Sequence, residues 1–246
     1  MTRPREQARG LARRVEAAGG RSLLYPAIEI GEPADLPRVQ QVVDGLAQAA
    51  LAIFVSPTAV QKGMDLVSRR GGWPQSVRAA AVGAGSRREL EQRGVAQVLA
   101  PETGSDSEAL LAMPQLAEVS GRRIVIFRGA GGRELLGETL AARGALVEYA
   151  ECYRRLRPRT DMAPLLAEWD RGGVHAVTVF SAEALANLGA LLGEAGQARL
   201  RTTPLFVPHR RIADEALKLG ILEATVGGPG DEEMVARLVA YFRDAK

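Results

Sequence analysis

Short runs of apolar, often β-branched residues alternate along this chain with longer stretches whose apolar residues recur at helical spacing. The short runs are Leu23-Leu24-Tyr25, Ala52-Ile53-Phe54-Val55, Ala79-Ala80-Ala81-Val82, Ala96-Gln97-Val98-Leu99, Ile124-Val125-Ile126-Phe127, Val147-Glu148-Tyr149-Ala150, Ala176-Val177-Thr178-Val179-Phe180, Pro204-Leu205-Phe206-Val207 and Ala224-Thr225-Val226. Nearly all their residues are apolar, as in strands covered on both faces, so the pattern predicts α/β architecture with parallel sheets. Helix starts are legible between them. Ser56-Pro57 places an N-cap oxygen before a proline at the first helical position, and Ser105-Asp106-Ser107-Glu108 reads as a capping box. Asp231-Glu232-Glu233 puts negative charge in the first turn of the last helix. Gly19-Gly20, Gly94, Gly144 and Gly220 stand where helices should stop.

The second half of the pattern repeats the first at an offset of about 125 residues. Phe54-Val55-Ser56-Pro57-Thr58-Ala59-Val60 answers to Val179-Phe180-Ser181-Ala182-Glu183-Ala184-Leu185, and Arg3, Leu11 and Gly19 answer to Arg128, Leu136 and Gly144. A repeat in 246 residues predicts two similar three-layer α/β lobes with a ligand cleft between them. Two charged, extended stretches closed by proline, near 27–33 and 151–158, are expected to pair as antiparallel linker strands. One lobe would then be discontinuous, 1–32 plus 157–246, and the other 33–156.

In open parallel sheets, ligands bind beyond the carboxyl ends of the strands. Six loops fall there: Thr2-Arg3-Pro4, Ser56-Pro57-Thr58, Gly83-Ala84-Gly85-Ser86, Arg128-Gly129-Ala130-Gly131-Gly132-Arg133, Ser181-Ala182-Glu183 and Pro208-His209-Arg210-Arg211. Small residues open backbone N–H groups to an anion, while hydroxyls and guanidinium groups add donors. Neither glycine loop completes GxGxxG, because Glu134 and Arg88 stand at the third glycine, and the phosphate-binding GxxxxGK[ST] and hydrolase GxSxG patterns are absent. Donors without a nucleophile suggest a polycarboxylate. Each residue also has a plainer reading: Ser56 and Ser181 as helix caps, the glycines as turn formers, Tyr153 as a packed ring with its hydroxyl in water, and His175 and His209 as structural or loop histidines.

Composition narrows the chemistry. Cys152 is the only cysteine and His175 and His209 the only histidines, which rules out an intrachain disulfide and makes a dedicated metal site unexpected. Net charge is +3 and aromatics are 4% of residues, too little to point to nucleic acid. No apolar run is long enough to span a bilayer and no export signal is visible, so the expected location is the cytoplasm.

At these loops the sequence resembles the uroporphyrinogen-III synthase family over essentially its whole length. The resemblance rests on Thr2-Arg3-Pro4 with Gln7-Ala8, on Phe54 to Val60, on Ala81-Val82-Gly83, on Arg128-Gly129-Ala130-Gly131-Gly132-Arg133-Glu134-Leu135-Leu136, on Val147 to Arg155, and on Phe180-Ser181. It implies two α/β lobes and a cleft for hydroxymethylbilane, a linear tetrapyrrole with eight carboxylates. It implies a lyase that works without cofactor or metal: the terminal hydroxyl leaves as water, ring D attacks to give a spiro intermediate, and the chain recloses with ring D inverted. By family position Tyr153 is the candidate general acid, and Ser56, Ser86 and Ser181 line the cleft. Arg3, Arg128, Gly129, Arg133 and His209 are the further substrate-binding candidates. Two departures stand out: Met1 directly precedes Thr2, so the first strand is expected to be clipped or to begin upstream, and Pro208-His209-Arg210-Arg211 replaces the family's Gly-Pro-hydroxyl pattern.

The competing readings are a non-catalytic two-lobed protein that binds an anionic small molecule, and a nucleic-acid-binding α/β module. The expected partners are the substrate and hydroxymethylbilane synthase as its supplier, and the expected oligomeric state is a monomer.

Overall fold

The computed structural model describes residues 1–104 and 106–244. In chain order its first elements are α1 (Arg5–Ala17), β1 (Glu29–Gly31), α2 (Leu36–Asp44), β2 (Leu51–Phe54), α3 (Pro57–Ser68), β3 (Arg78–Ala81), α4 (Ala84–Gln92) and α5 (Ser107–Leu111). There follow β4 (Arg123–Gly129), α6 (Leu135–Ala142), β5 (Leu146–Leu156), α7 (Ala163–Asp170), β6 (Val177–Thr178), α8 (Ala182–Arg201), β7 (Leu205–Val207), α9 (Arg210–Lys218), β8 (Ala224–Val226) and α10 (Asp231–Asp244). The chain forms two compact units: Met1–Ile30 with Leu156–Lys246, and Gly31–Arg155.

The Gly31–Arg155 unit is built on a sheet in which β2 pairs with β3 and β4, and β4 with β5, all parallel. Its central strands read Leu-Ala-Ile-Phe and Arg-Ile-Val-Ile-Phe-Arg-Gly, and burial on both faces explains why Leu51–Phe54 and the 124–127 stretch are apolar throughout. Ile53, Ala80, Ile124 and Ile126 pack in one cluster with Leu110, Leu116, Leu136 and Leu140. Phe54 and Phe127, opposite each other in register, stack with ring centroids 4.5 Å apart. Each large side chain buried in this way contributes roughly 1.5–3 kcal/mol.

The other unit carries a parallel sheet of order β6-β7-β8. Val177, Val179, Leu205 and Val207 are buried there with Leu185, Leu188, Ile212 and Ala216. Phe206 packs separately with Leu11 and Met234.

Two expected strands are corrected. Leu23–Tyr25 forms no regular strand. Tyr25 N–H donates to Met1 C=O at 3.0 Å and Ala27 N–H to Thr2 C=O at 2.9 Å, but these acceptors are one residue apart where a regular parallel ladder would need two. Ala96–Leu99 reduces to a single bridge from Leu99 to Ala80, because Gln97 adopts a φ of 52° and leaves the pleat. In contrast, β5 runs through to Leu156, absorbing most of the stretch expected as a linker.

The helix boundaries follow local chemistry. Gly19, Gly94, Gly144 and Gly220, each just beyond a helix, take φ between 80° and 86°, the left-handed conformation that ends helices. Asp106 caps α5 by accepting from Ala109 N–H at 2.8 Å. Ser105, expected to open a capping box there, lies outside the described residues.

Candidate active site

In the Gly31–Arg155 unit, the carboxyl ends of β2, β3 and β4 open into a cavity of about 310 Å³. Ser56, Val82, Ser107, Arg128, Gly129, Arg133, Tyr149 and Tyr153 are among the residues that line it. Parallel strands deliver their loops and following helix N-termini to this one end, which is why residues distant in sequence converge here.

Ser56 is held by the helix it starts. Its backbone is extended, with φ −161° and ψ 160°, and its Oγ accepts the Ala59 N–H at 3.1 Å. The same Oγ lies 3.2 Å from the Tyr153 hydroxyl, so the two groups share a hydrogen bond.

Tyr153 reaches that position through a register shift. Strands β4 and β5 pair regularly as far as Arg128 opposite Glu151, and then Gly129 lies opposite Tyr153, leaving Cys152 as the extra residue. Such a bulge re-aims the side chains beyond it. The Tyr153 ring is 1% exposed and fills the space above Gly129, where a Cβ would come within 2.7 Å of the ring carbons. Glycine is therefore needed at 129 for close approach. The Cys152 thiol donates to Arg128 C=O at 3.4 Å, and burial pushes its pKa up to about 12, so it remains a neutral thiol and a poor nucleophile.

Arg128 is buried and heavily engaged. Its Nε and Nη2 donate to Glu151 Oε1 at 3.2 and 3.1 Å, and Nη2 donates to Glu134 Oε1 at 2.7 Å. Its guanidinium carbon lies 4.2 Å from the centre of the Tyr149 ring. Burial works against the guanidinium charge, but the hydrogen bonds to Glu134 and Glu151 outweigh it and raise the pKa. Glu134 is correspondingly lowered, by Arg128 first and by its hydrogen bond with Tyr149 second. The Tyr149 phenol is pushed up to about 12, by burial first and then by Glu134. Arg133, which is exposed, donates to Glu108 at 2.7 Å.

The other candidates lie elsewhere. Ser86 is buried in the first turn of α4 and is not among the cavity's lining residues. Arg3, Ser181 and His209 belong to the unit formed by Met1–Ile30 with Leu156–Lys246. There Ser181 caps α8, accepting from Ala184 N–H at 3.1 Å. Arg3 sits over the Phe180 ring, 3.3 Å from its centre, and pairs with Asp231 at 2.5 Å. His209 is exposed at the N-cap position of α9, where it makes no side-chain cap. That unit also has a cavity of about 590 Å³ among Val15, Leu165, Trp169, Leu238 and Phe242, but none of the candidate residues lines it.

Glu134, Tyr149 and Glu151 were not among the residues expected at the site. The usable signal was weak: Tyr149 and Glu151 are two apart in a strand and so share a face, but only the register with β4 sets Glu151 opposite Arg128. Among the described residues no group of three or more His, Cys, Asp or Glu is placed to hold a metal ion, and no helix is long and apolar enough to cross a membrane.

Comparison with known proteins bears on this geometry. The family model described as "Uroporphyrinogen-III synthase HemD" matches residues 9–235. The uroporphyrinogen-III synthase of Salmonella typhimurium is 33% identical over 239 residues, 96% of this chain and 97% of that one. The Escherichia coli uroporphyrinogen-III synthase is 31% identical, again over 96% of this chain and 97% of that one. A crystal structure of a mutant uroporphyrinogen III synthase from Thermus thermophilus superposes with a TM-score of 0.63 over 99% of this chain and all of that one. At 20% identity that likeness speaks for the fold.

Proposed function

The chain belongs to the uroporphyrinogen-III synthase family, and on that premise we propose that it closes hydroxymethylbilane to uroporphyrinogen III with inversion of ring D. The observation that carries the assignment of roles is the Tyr153 hydroxyl, 3.2 Å from Ser56 Oγ and lining a cavity walled by Arg128, Gly129 and Arg133.

In this reading Tyr153 donates its proton to the departing terminal hydroxyl. The carbon–oxygen bond breaks with push from the pyrrole nitrogen, and water leaves. Ser56, anchored by the helix cap, positions the phenol and offers a path to return the proton. Ring D then attacks through its substituted carbon to form the spiro intermediate, which fragments and recloses inverted. No cofactor enters any of these steps. The protein's larger task is orientation: unguided closure leaves ring D uninverted, so the site must hold the chain in the folded geometry that favours inversion. Arg128, Arg133 and the backbone N–H groups of the Gly129–Gly132 loop supply donors for substrate carboxylates. Their dispersal along one loop suits a ligand with many acids better than one with a single phosphate.

The test is a coupled assay. Hydroxymethylbilane is generated in situ, the protein is added, products are oxidised, and type I and type III uroporphyrins are separated. Enrichment of type III over the enzyme-free control is the expected result; type I alone from folded protein would refute the reading.

A further inference from the structure

We propose that Glu134 is an internal stand-in for a substrate carboxylate: it occupies Arg128 in the empty site and gives up its place when ligand binds. This rests on the functional reading above and adds to it a residue that sets affinity. A guanidinium has five N–H groups. In Arg128 two go to Glu151, one goes to Glu134, and Nη1 makes a long contact of 3.4 Å with Arg133 C=O. The Tyr149 ring lies against the guanidinium. Too few donors remain for a substrate carboxylate to pair bidentately, so one of the two glutamates must leave.

The geometry decides which. Glu151 is fixed within β5, directly across from Arg128 in the parallel pair, and receives two of its N–H groups. Glu134 receives one; both side chains are partly exposed, 49% for Glu134 and 40% for Glu151, so the difference lies in the number of bonds and in the backbone that carries each. Glu134 stands at the junction of α6 with a loop containing Gly131, whose φ is 71°, and Gly132. It also has a second partner in the Tyr149 hydroxyl. Two carboxylates on one guanidinium leave an excess negative charge, which opposes an incoming polyacid. A tethered carboxylate acts as a competitor at high effective concentration, and withdrawing its charge should raise the affinity of the site.

The test titrates uroporphyrin III, a stable octacarboxylate, by fluorescence into wild type, Glu134→Gln, Arg128→Gln and the double variant, alongside steady-state kinetics on hydroxymethylbilane. Glu134→Gln is expected to bind the probe roughly three- to tenfold more tightly and to lower KM similarly, with kcat little changed. The gain should vanish in the Arg128→Gln background, since it depends on freeing that guanidinium. Equal or weaker binding by Glu134→Gln would overturn the proposal and make Glu134 a strut for Arg128. A gain that persists without Arg128 would overturn it too, as a general charge effect. The probe titration needs no turnover, so failure of wild type to form the type III isomer would count against the functional reading alone.

Discussion

Ser56 and Ser181 occupy equivalent places in a sequence repeat, and the structure gives them the same local job. Both follow a strand, both have extended backbone, and both accept the N–H three residues on at 3.1 Å. Their surroundings differ. Ser56 meets the Tyr153 hydroxyl, whereas 125 residues earlier Tyr153 corresponds to Ile28, an apolar residue in a hydrophobic cluster. Gly129, which makes room for that tyrosine, corresponds to Pro4. Arg128 and Arg3 correspond, but Arg128 is buried between Glu134 and Glu151, while Arg3 pairs with Asp231. The caps therefore recur because each unit needs its helix started. The phenol, the bulge and the buried arginine network are additions to one unit, and that asymmetry marks where the chemistry is proposed to lie.

The largest effect should come from filling the space over Gly129. Gly129→Ala sets a Cβ against the Tyr153 ring, so turnover should fall by roughly 100-fold with a stability loss of about 1–3 kcal/mol, read by the isomer assay and denaturant unfolding. The corresponding change at the other unit's Pro4 should leave turnover far less affected. If Gly129→Ala were as active as wild type, the packing of Tyr153 would not matter to the reaction.

Tyr153→Phe isolates the hydroxyl. We expect kcat to fall by roughly 10- to 100-fold while the melting temperature stays close to that of wild type. A variant with unchanged kcat would leave Ser56 and Ser181 functionally alike and remove the basis of the asymmetry.

The two serines sharpen the comparison directly. Ser56→Ala and Ser181→Ala should each cost about 1 kcal/mol through loss of a cap, but only Ser56→Ala should also lower kcat, by less than Tyr153→Phe. A rise in KM for Ser181→Ala would bring Ser181 into contact with substrate.

The smallest effect is on pH dependence. Arg128 holds the folded-state pKa of Glu134 below its ordinary value, so the carboxylate's stabilising contribution is present at neutral pH and is lost as pH falls through the lowered value. Acid unfolding of Glu134→Gln should therefore be slightly less steep below the usual carboxylate range, as read by circular dichroism. An identical acid limb would show that the pair contributes nothing to folding, as exposed pairs often do.

Much of the architecture was legible in the chain. The apolar runs gave β2, β7 and most of β3 and β4 because the covered stretch of a strand must be apolar, and they also located β8, which is only partly buried. The failures have local causes. At Leu23–Tyr25 the bonds to Met1 and Thr2 fall on consecutive acceptors and so out of ladder register, and at Ala96–Leu99 one residue in the left-handed region breaks the pleat. Of the residues the sequence singled out, Ser56, Arg128, Gly129, Arg133 and Tyr153 line one cavity. Ser86, although it shares their chemistry, does not.

Sequence alone determined what depends on neighbours along the chain: helix caps, glycine stops, apolar strands, and the loops that could offer donors to an acid. These follow from hydrogen-bonding capacity and hydrophobic period, which are properties of short segments. Tertiary structure decided what depends on register. Whether Arg128 faces a carboxylate, and whether Tyr153 reaches Ser56, turns on how β5 aligns with β4 and on a shift at one residue. A slip of one position turns side chains to the opposite face of a sheet. No local pattern carries that information, because the alignment is set by packing the whole sheet against its helices.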